Sequence, residues 1–255
     1  EPALVRRFLD DPRPDGRLAL TDVETTRAAR TDLAEGLARS ADPDLAALGL
    51  VRLVETLERT DPSGMPPPAR LDELTALLRA GGPRRHRLIV TLGGSRALVD
   101  HLAAHPEHWP AAADATPADA QTLRAALTTA VTPEQRGERT AHDALRLAYR
   151  RELLRIAALD LSADDPVAHL PTAAESLAQL AEAALEAGLV IAREEVGPNH
   201  EDCRLAIIGM GKTGGGELNY VSDVDVIFVA EPAVGVDEEH ALKVGTALAA
   251  ATMKA

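Results

Sequence analysis

A glycine-dense turn between two apolar stretches constrains this chain more than any other feature. Residues 205–229 read LAIIGMGKTGGGELNYVSDVDVIFV, which predicts a strand, a tight turn and a second strand that opens with Asp223 and Asp225. Successive side chains of a strand alternate between its two faces, so residues i and i+2 project to the same side. We therefore expect both carboxylates to lie on one side of the second strand, close to the turn.

The same segment imitates two other nucleotide-binding motifs, and both are excluded by spacing. Gly209, Gly211 and Gly214 satisfy G-x-G-x-x-G, but a dinucleotide fold needs a helical crossover of a dozen or more residues and an acid about twenty residues on. Residues 209–223 leave only fifteen glycine-rich positions between the strands. A P-loop requires a glycine five positions before Gly211, where Ala206 stands inside the strand.

The two aspartates beside the turn predict a magnesium site. Magnesium prefers oxygen ligands and is usually held by one or two carboxylates together with substrate phosphates. Gly209 and Gly211 would let backbone N–H groups approach phosphate oxygens, although a tight turn with positive φ also favours glycine. The pattern indicates metal-assisted transfer at phosphorus, with Asp223 and Asp225 as ligands. The alternative is a turn into a strand with two solvated acids.

Two further polar residues of the segment are candidates for phosphate binding. Lys212 could neutralise phosphate charge, although a loop lysine is commonly only solvated. Ser222 could orient a phosphate or cap the second strand. We keep both as candidate phosphate-binding residues.

Three short runs in this segment resemble a known family. Residues 209–212 (GMGK), 217–220 (ELNY) and 222–228 (SDVDVIF) resemble the nucleotidyltransferase motif of the DNA polymerase β superfamily, and more closely that of glutamine synthetase adenylyltransferases. Those enzymes have two catalytic halves. The motif sequence here is similar to that of the amino-terminal, adenylyl-removing half, because the other half typically has glycine in place of Asn219. Thr213 departs from the family pattern, in which many members carry leucine.

Two upstream stretches extend the resemblance to roughly residues 90–235. Residues 92–96 (LGGSR) resemble a helical segment of the family, and residues 147–157 (LAYRRELLRIA) resemble its basic helix before the catalytic domain. On that helix the resemblance raises Arg150 and Arg151 as contacts for a phosphate or for an acidic partner. An exposed charged helix face is the competing explanation.

The resemblance implies an enzyme of nitrogen regulation. It implies phosphorolysis, in which phosphate releases ADP from adenylyl-tyrosine of glutamine synthetase, as part of a bifunctional adenylyltransferase with Mg²⁺ as cofactor. The implied partners are glutamine synthetase, a PII-type signal protein, ATP or ADP, and phosphate. The alternatives are a nucleotidyltransferase acting on another protein or a small molecule, and a non-catalytic nucleotide-binding regulatory module.

Composition agrees with a cytoplasmic enzyme. The formal net charge of −13 argues against nucleic-acid binding, which requires a basic field. The single cysteine, Cys203, excludes an internal disulfide and is typical of a reducing compartment. No apolar run approaches the roughly twenty residues that span a bilayer, so we expect no membrane association.

The periodicity predicts a mainly α protein with an α+β part. We expect a helical region over residues 1–198 and, over residues 199–255, the first part of a polymerase β-like nucleotidyltransferase domain with a mixed sheet that the chain truncates. In the superfamily a third carboxylate on a later strand completes the metal site, and nothing after Asp225 matches it. Helices are predicted over about 21–40 with a capping box from Thr21, over 42–59 opened by Asp42, over 69–79, on either side of Gly93-Gly94, from Thr116-Pro117 onward, and over 145–156, 177–191 and 238–255. A connection is predicted at 61–68 and a loop at 105–117. Leu145, Tyr149, Leu153 and Ile156 form an apolar stripe at helical period, and the acids from Asp237 onward have an ordinary capping role at the start of the last helix.

Overall fold

The computed structural model describes residues 23–59 and 67–255. The capping residue predicted at Thr21 lies outside the described residues, as does most of the connection predicted at 61–68. None of the helices in the described ranges is long and apolar enough to cross a membrane. The predicted fold class, mainly α with a small α+β part, is confirmed.

The described chain forms two compact units. The first comprises residues up to 116 together with 157–166, and the second comprises 117–156 together with 167–255. Each unit is described separately below. The boundary predicted at 198/199 from the sequence remains a prediction.

The first unit is a bundle of short helices with a leucine-rich core. The helix at Pro43–Arg59 (α2) begins where predicted, because the Asp42 carboxylate accepts a hydrogen bond from the Leu45 N–H (2.9 Å) and so caps the first turn. The core contains Leu50, Leu53 and Leu92, all fully buried. The helices are α1 (Val23–Ala38), α2 (Pro43–Arg59), α3 (Pro67–Ala80), α4 (Gly82–Gly94), α5 (Arg96–Ala104) and α6 (Trp109–Ala113), with a 3₁₀ turn at Pro106–His108.

Two sequence predictions in this region need correction. Gly93 and Gly94 lie within the last turn of α4, and the chain leaves the helix at Ser95, whose backbone is extended. The stretch 105–117, predicted as a loop, contains the 3₁₀ turn and α6. Trp109 is only 3% exposed, and the burial of this large apolar side chain stabilises helical structure that local sequence does not signal.

The second unit combines helices with a two-stranded sheet. α7 (Ala120–Ala130) begins later than predicted, because Asp119 rather than Thr116 caps it through the Thr122 N–H (2.8 Å). The other elements that lie wholly or mostly in this unit are α8 (Pro133–Arg136), α9 (Ala141–Leu161), α10 (Pro166–Val196), a 3₁₀ helix (Gly197–Asp202), β1 (Cys203–Gly209), α11 (Gly211–Gly214), β2 (Val226–Pro232) and α12 (Glu238–Thr252). Residues 157–161 of α9 and Pro166 of α10 belong to the first unit.

The helical part of this unit has one apolar core. Leu145 and Ile156 of α9 are buried in it, and Tyr149 and Leu153 pack partly buried against it, which confirms the predicted apolar stripe. α10 contributes a row of small and branched side chains, and Leu218, from the segment between the strands, is buried in the same core. The residues that α10 buries there are Leu177, Ala178, Leu180, Ala181, Ala183, Ala187 and Ile191.

The two strands are antiparallel, as the short connection requires. Cys203 pairs with Pro232 and Gly209 pairs with Val226 at the two ends of the ladder. One face of the sheet packs on α12, where Cys203 joins a second apolar cluster and Leu205 packs against it. The opposite face is open among the described residues.

Candidate functional site

The segment between the strands is held by a chain of backbone hydrogen bonds. The Met210 N–H donates to the carbonyl oxygen of Asp225 (2.8 Å), which extends the strand pairing by one residue on each side. The carbonyl of Met210 then accepts from the Gly214 N–H (3.0 Å), and that of Lys212 from the Glu217 N–H (2.8 Å). These bonds fold residues 211–217 into a compact turn against the end of β1.

At two positions of this turn, neighbouring atoms lie so close to the backbone that only glycine fits without a shift. Gly211 has a φ of +53°, and a Cβ placed there would lie 3.1 Å from the Asp225 Oδ2. Gly214 packs on the last residue of β1, and a Cβ there would overlap the carbonyl oxygen of Gly209. The G-x-G-x-x-G spacing therefore serves the approach of the turn to β1 and to Asp225.

The aspartates lie just before the second strand rather than inside it. β2 begins at Val226, so the prediction that the strand opens with Asp223 and Asp225 is wrong by three residues. Asp225 still stands opposite Met210 in the extended pairing. Because faces alternate along a strand, Asp225 belongs to the same side as Ile227, which is the open face of the sheet. Both aspartates are exposed.

The other predicted phosphate-binding residues lie around the same turn. Gly209 ends β1, Gly211 begins α11, and Lys212 is exposed on α11. Ser222 is partly buried in the segment before β2. The structure therefore brings these residues to one turn, while their assignment to phosphate binding remains a prediction.

Buried side chains anchor this turn to the protein. Leu218, 5% exposed, enters the helical core of the second unit. Thr213 is 1% exposed, and its hydroxyl has no hydrogen-bond partner among the described residues. A buried hydroxyl without a partner is unfavourable.

The chemistry of the Asp225 carboxylate suits a magnesium ligand, while the assignment of Asp223 and Asp225 to a magnesium ion remains a prediction. The Asp225 carboxylate is solvent-exposed and lies against the backbone of the turn at Gly211. No group of three or more His, Cys, Asp or Glu residues in the described part of the chain could hold a metal ion. One or two carboxylates are typical of magnesium sites in which substrate phosphates and water provide the remaining ligands.

Asp237, the next acidic residue after β2, has a structural role. Its carboxylate accepts a hydrogen bond from the His240 N–H (3.1 Å) and caps α12. This agrees with the capping role expected from sequence.

Arg150 and Arg151, the two arginines of α9 that the resemblance raises as candidate contacts, have different surroundings. Arg150 is exposed. The Arg151 guanidinium donates through Nε (3.3 Å) and Nη2 (3.2 Å) to the Oε1 of Glu152. Neighbouring residues of a helix point in directions about 100° apart, so the two arginines do not share a face.

Sequence reasoning missed Glu152. It is 1% exposed and also forms an ion pair with Arg155. Burial lowers the pKa of Arg155, and the positive charge of Arg151 lowers it further. The sequence did contain a signal for its burial. Glu152 lies three residues after Tyr149 and four before Ile156, so it falls on the apolar stripe of α9.

Comparison with known proteins places the chain in a family. The profile of the glutamate-ammonia ligase adenylyltransferase family matches residues 85–254. Curated relatives named bifunctional glutamine synthetase adenylyltransferase/adenylyl-removing enzyme include those of Streptomyces avermitilis, 46% identical over 254 residues, and Streptomyces coelicolor, 43% identical over 258 residues. The Mycobacterium tuberculosis relative is 40% identical over 236 residues.

These matches cover 98%, 98% and 90% of this chain, respectively, but only 24%, 24% and 23% of the relatives. The chain thus spans about a quarter of the length of these relatives. The glycine turn and Asp225 fall within the residues that the family profile matches. This chain belongs to the glutamate-ammonia ligase adenylyltransferase family.

Proposed function

We propose that this chain carries part of the adenylyl-removing site of a bifunctional glutamine synthetase adenylyltransferase. The observation that supports it is the approach of the Asp225 carboxylate to the glycine turn at Gly211, on the open face of the sheet. A phosphate seated on the turn would meet a carboxylate there. The names of the relatives supply the protein substrate, glutamine synthetase.

The reaction proposed is phosphorolysis of an adenylyl-tyrosine. An oxygen of inorganic phosphate attacks the phosphorus of the AMP group, and the bond from that phosphorus to the tyrosine oxygen breaks. The electron pair stays on the tyrosine oxygen, which takes up a proton, and the products are ADP and unmodified tyrosine. In such in-line transfers the protein acts mainly by positioning and electrostatic stabilisation.

The residues of the turn have distinct roles in this proposal. Backbone N–H groups at Gly209 and Gly211 approach phosphate oxygens, and Lys212 and Ser222 contribute charge and orientation. Asp223 and Asp225 would hold Mg²⁺, which would supply charge neutralisation at the reacting phosphoryl group when bound. The assignment to the amino-terminal, adenylyl-removing half comes from the ELNY sequence at residues 217–220.

The remaining parts of the proposal follow from the family. A PII-type signal protein would be the regulatory partner, ATP or ADP and phosphate the small-molecule ligands, and the cytoplasm the location. The nucleotidyltransferase domain would begin near residue 199.

Substitution of the aspartates in the full-length protein tests the proposal. We expect Asp223→Asn and Asp225→Asn each to abolish the release of ADP from adenylylated glutamine synthetase and phosphate, while AMP addition by the other half continues. Asp237→Asn is the matched control, because Asp237 caps α12. Wild-type ADP release by both site variants would refute the assignment.

A further inference from the structure

A carboxylate is buried in the middle of a helix of the second unit. Glu152 lies on α9 and is 1% exposed. Its position, seven residues after Leu145 and four before Ile156, puts it on the face of α9 that enters the helical core. Taking an ionised carboxylate out of water is costly unless it is paired, so its partners are informative.

Two guanidinium groups flank this carboxylate, one on each oxygen. Arg151 donates to Oε1 through two of its nitrogens. The Arg155 Nη2 lies within ion-pair distance of Oε2, a buried oxygen that has no hydrogen-bond partner among the described residues. The cluster carries two positive charges and one negative charge. The Arg151 side chain is 51% exposed and that of Arg155 is 20% exposed, so the excess positive charge reaches solvent.

Stability alone does not explain this arrangement. Apolar residues of similar volume commonly stabilise a core as well as a buried ion pair does. Arg151 is adjacent to Glu152 along the helix, and its long side chain gives up rotamer freedom to reach back to it. What the arrangement provides is a fixed guanidinium at the surface. Of the five N–H donors of Arg151, those on Nη1 are not used by Glu152.

The cluster is joined to the glycine turn by the core between them. Tyr149 and Leu153, which flank Glu152 along α9, pack against the apolar core that contains Leu218. Leu218 lies in the segment that connects the glycine turn to the aspartates. The helix that bears the two arginines and the segment that bears the predicted catalytic residues are therefore held by one set of packed side chains.

We propose that Glu152 is a positioning residue that holds Arg151 and Arg155 as a binding site for a phosphate group of the adenine nucleotide or for inorganic phosphate. A guanidinium offers paired N–H donors that match phosphate oxygens, and the positive charge in excess of Glu152 is available to the anion. The inference rests on the proposed function for its ligand class. Of the two arginines that the family resemblance raised, the proposal includes Arg151 and not Arg150.

The test is direct binding to the full-length protein, measured by isothermal titration calorimetry with ADP and, separately, with sodium phosphate. We expect Arg151→Gln to weaken binding of at least one probe by about tenfold or more, the scale of a lost charge-assisted hydrogen bond. The probe that weakens identifies the source of the bound phosphate group. Arg146→Gln removes the same charge from an exposed position of the same helix, where Arg146 pairs with Asp143, and is expected to bind as wild type does.

Two further variants test the positioning role itself. Glu152→Gln is expected to weaken binding of the same probe with Arg151 still present, and Glu152→Asp, which keeps the charge, is expected to restore part of it. In the phosphorolysis assay the same variants should raise the KM for phosphate more than they lower kcat. If circular dichroism shows that Glu152→Gln does not fold, binding by Arg151→Gln still tests the proposed phosphate site, because Arg151 is exposed.

Wild-type binding of both probes by Arg151→Gln would overturn the proposal. Wild-type binding by a folded Glu152→Gln would overturn the positioning role, and equal weakening by Arg146→Gln would overturn the proposal by showing a general charge effect instead. Failure of the proposed function has a different signature, namely ADP release that survives both aspartate substitutions. Because binding is measured without turnover, the two failures are distinguishable.

Discussion

Substitution of Gly211 would show whether the Asp225 carboxylate needs its observed position. The φ of +53° at Gly211 is unfavourable for any residue with a Cβ, and the added Cβ would lie 3.1 Å from Asp225 Oδ2, where ordinary contacts begin at 3.4 Å. Gly211→Ala therefore has two effects. The backbone strain costs about 1–2 kcal/mol, and the carboxylate has to move by a few tenths of an ångström or more.

Gly216 provides a matched control in the same turn. Its φ is +69°, and a Cβ there would meet nothing within 4 Å. Gly216→Ala therefore imposes similar backbone strain without touching Asp225. Since a misplacement of about 1 Å can cost on the order of 100-fold in rate, we expect Gly211→Ala to reduce ADP release by about 10- to 100-fold and Gly216→Ala to reduce it far less.

The comparison is made in the full-length protein. ADP release from adenylylated glutamine synthetase gives the rate, and the magnesium dependence of that rate gives the concentration for half-maximal activity. We expect that concentration to rise in Gly211→Ala and to stay unchanged in Gly216→Ala. Equal loss in the two variants would assign the effect to backbone strain, and full activity of Gly211→Ala would refute the role given to the Asp225 position.

Two other substitutions test local energetics. Thr213→Val replaces a buried, unpaired hydroxyl by a methyl group of similar volume, so we expect it to raise the free energy of unfolding by about 1 kcal/mol; a lower denaturation midpoint in urea would show that the hydroxyl has a partner. Asp119→Ala removes the cap of α7, where hydrogen bonds from Thr122 hold the pKa of the Asp119 carboxyl below its ordinary value of 3.8. The stabilisation is complete above that ordinary pKa and is lost as the pH falls through the lower folded-state pKa. The melting temperature of the wild type should therefore exceed that of Asp119→Ala at pH 7, and the two should converge in acid. A difference that does not narrow as the pH falls below 3.8 would contradict the mechanism.

Most helices of the protein could be predicted because their signals are local. The cap at Asp42 and the apolar stripe from Leu145 to Ile156 are patterns within a few turns of chain, and both are found as expected. The start of α7 was missed because Thr116 and Asp119 both suit a cap and only the folded geometry selects one. α6 was missed because its formation depends on burying Trp109 among residues distant in sequence.

Some features of the candidate site could likewise be predicted from the sequence, and others could not. The spacing of the glycines and aspartates excluded a helical crossover, and the antiparallel pairing of β1 with β2 confirms that the two strands are joined by a short turn. The register of that pairing is tertiary information, and it moved the start of the strand from Asp223 to Val226. No pattern in the sequence gives the distance between Gly211 and Asp225, because it depends on how the turn folds back on β1.

The sequence by itself determined which residues could bind a phosphate and a metal, since that depends on residue type and on spacing along one short segment. Only the tertiary structure decided which charged groups are buried and which of them meet. Glu152 looks like one acid among several in a basic helix until the helical core closes over it. Burial is a property of packing between distant segments, and it is burial that turns Glu152 from a solvated charge into a fixed support for Arg151 and Arg155.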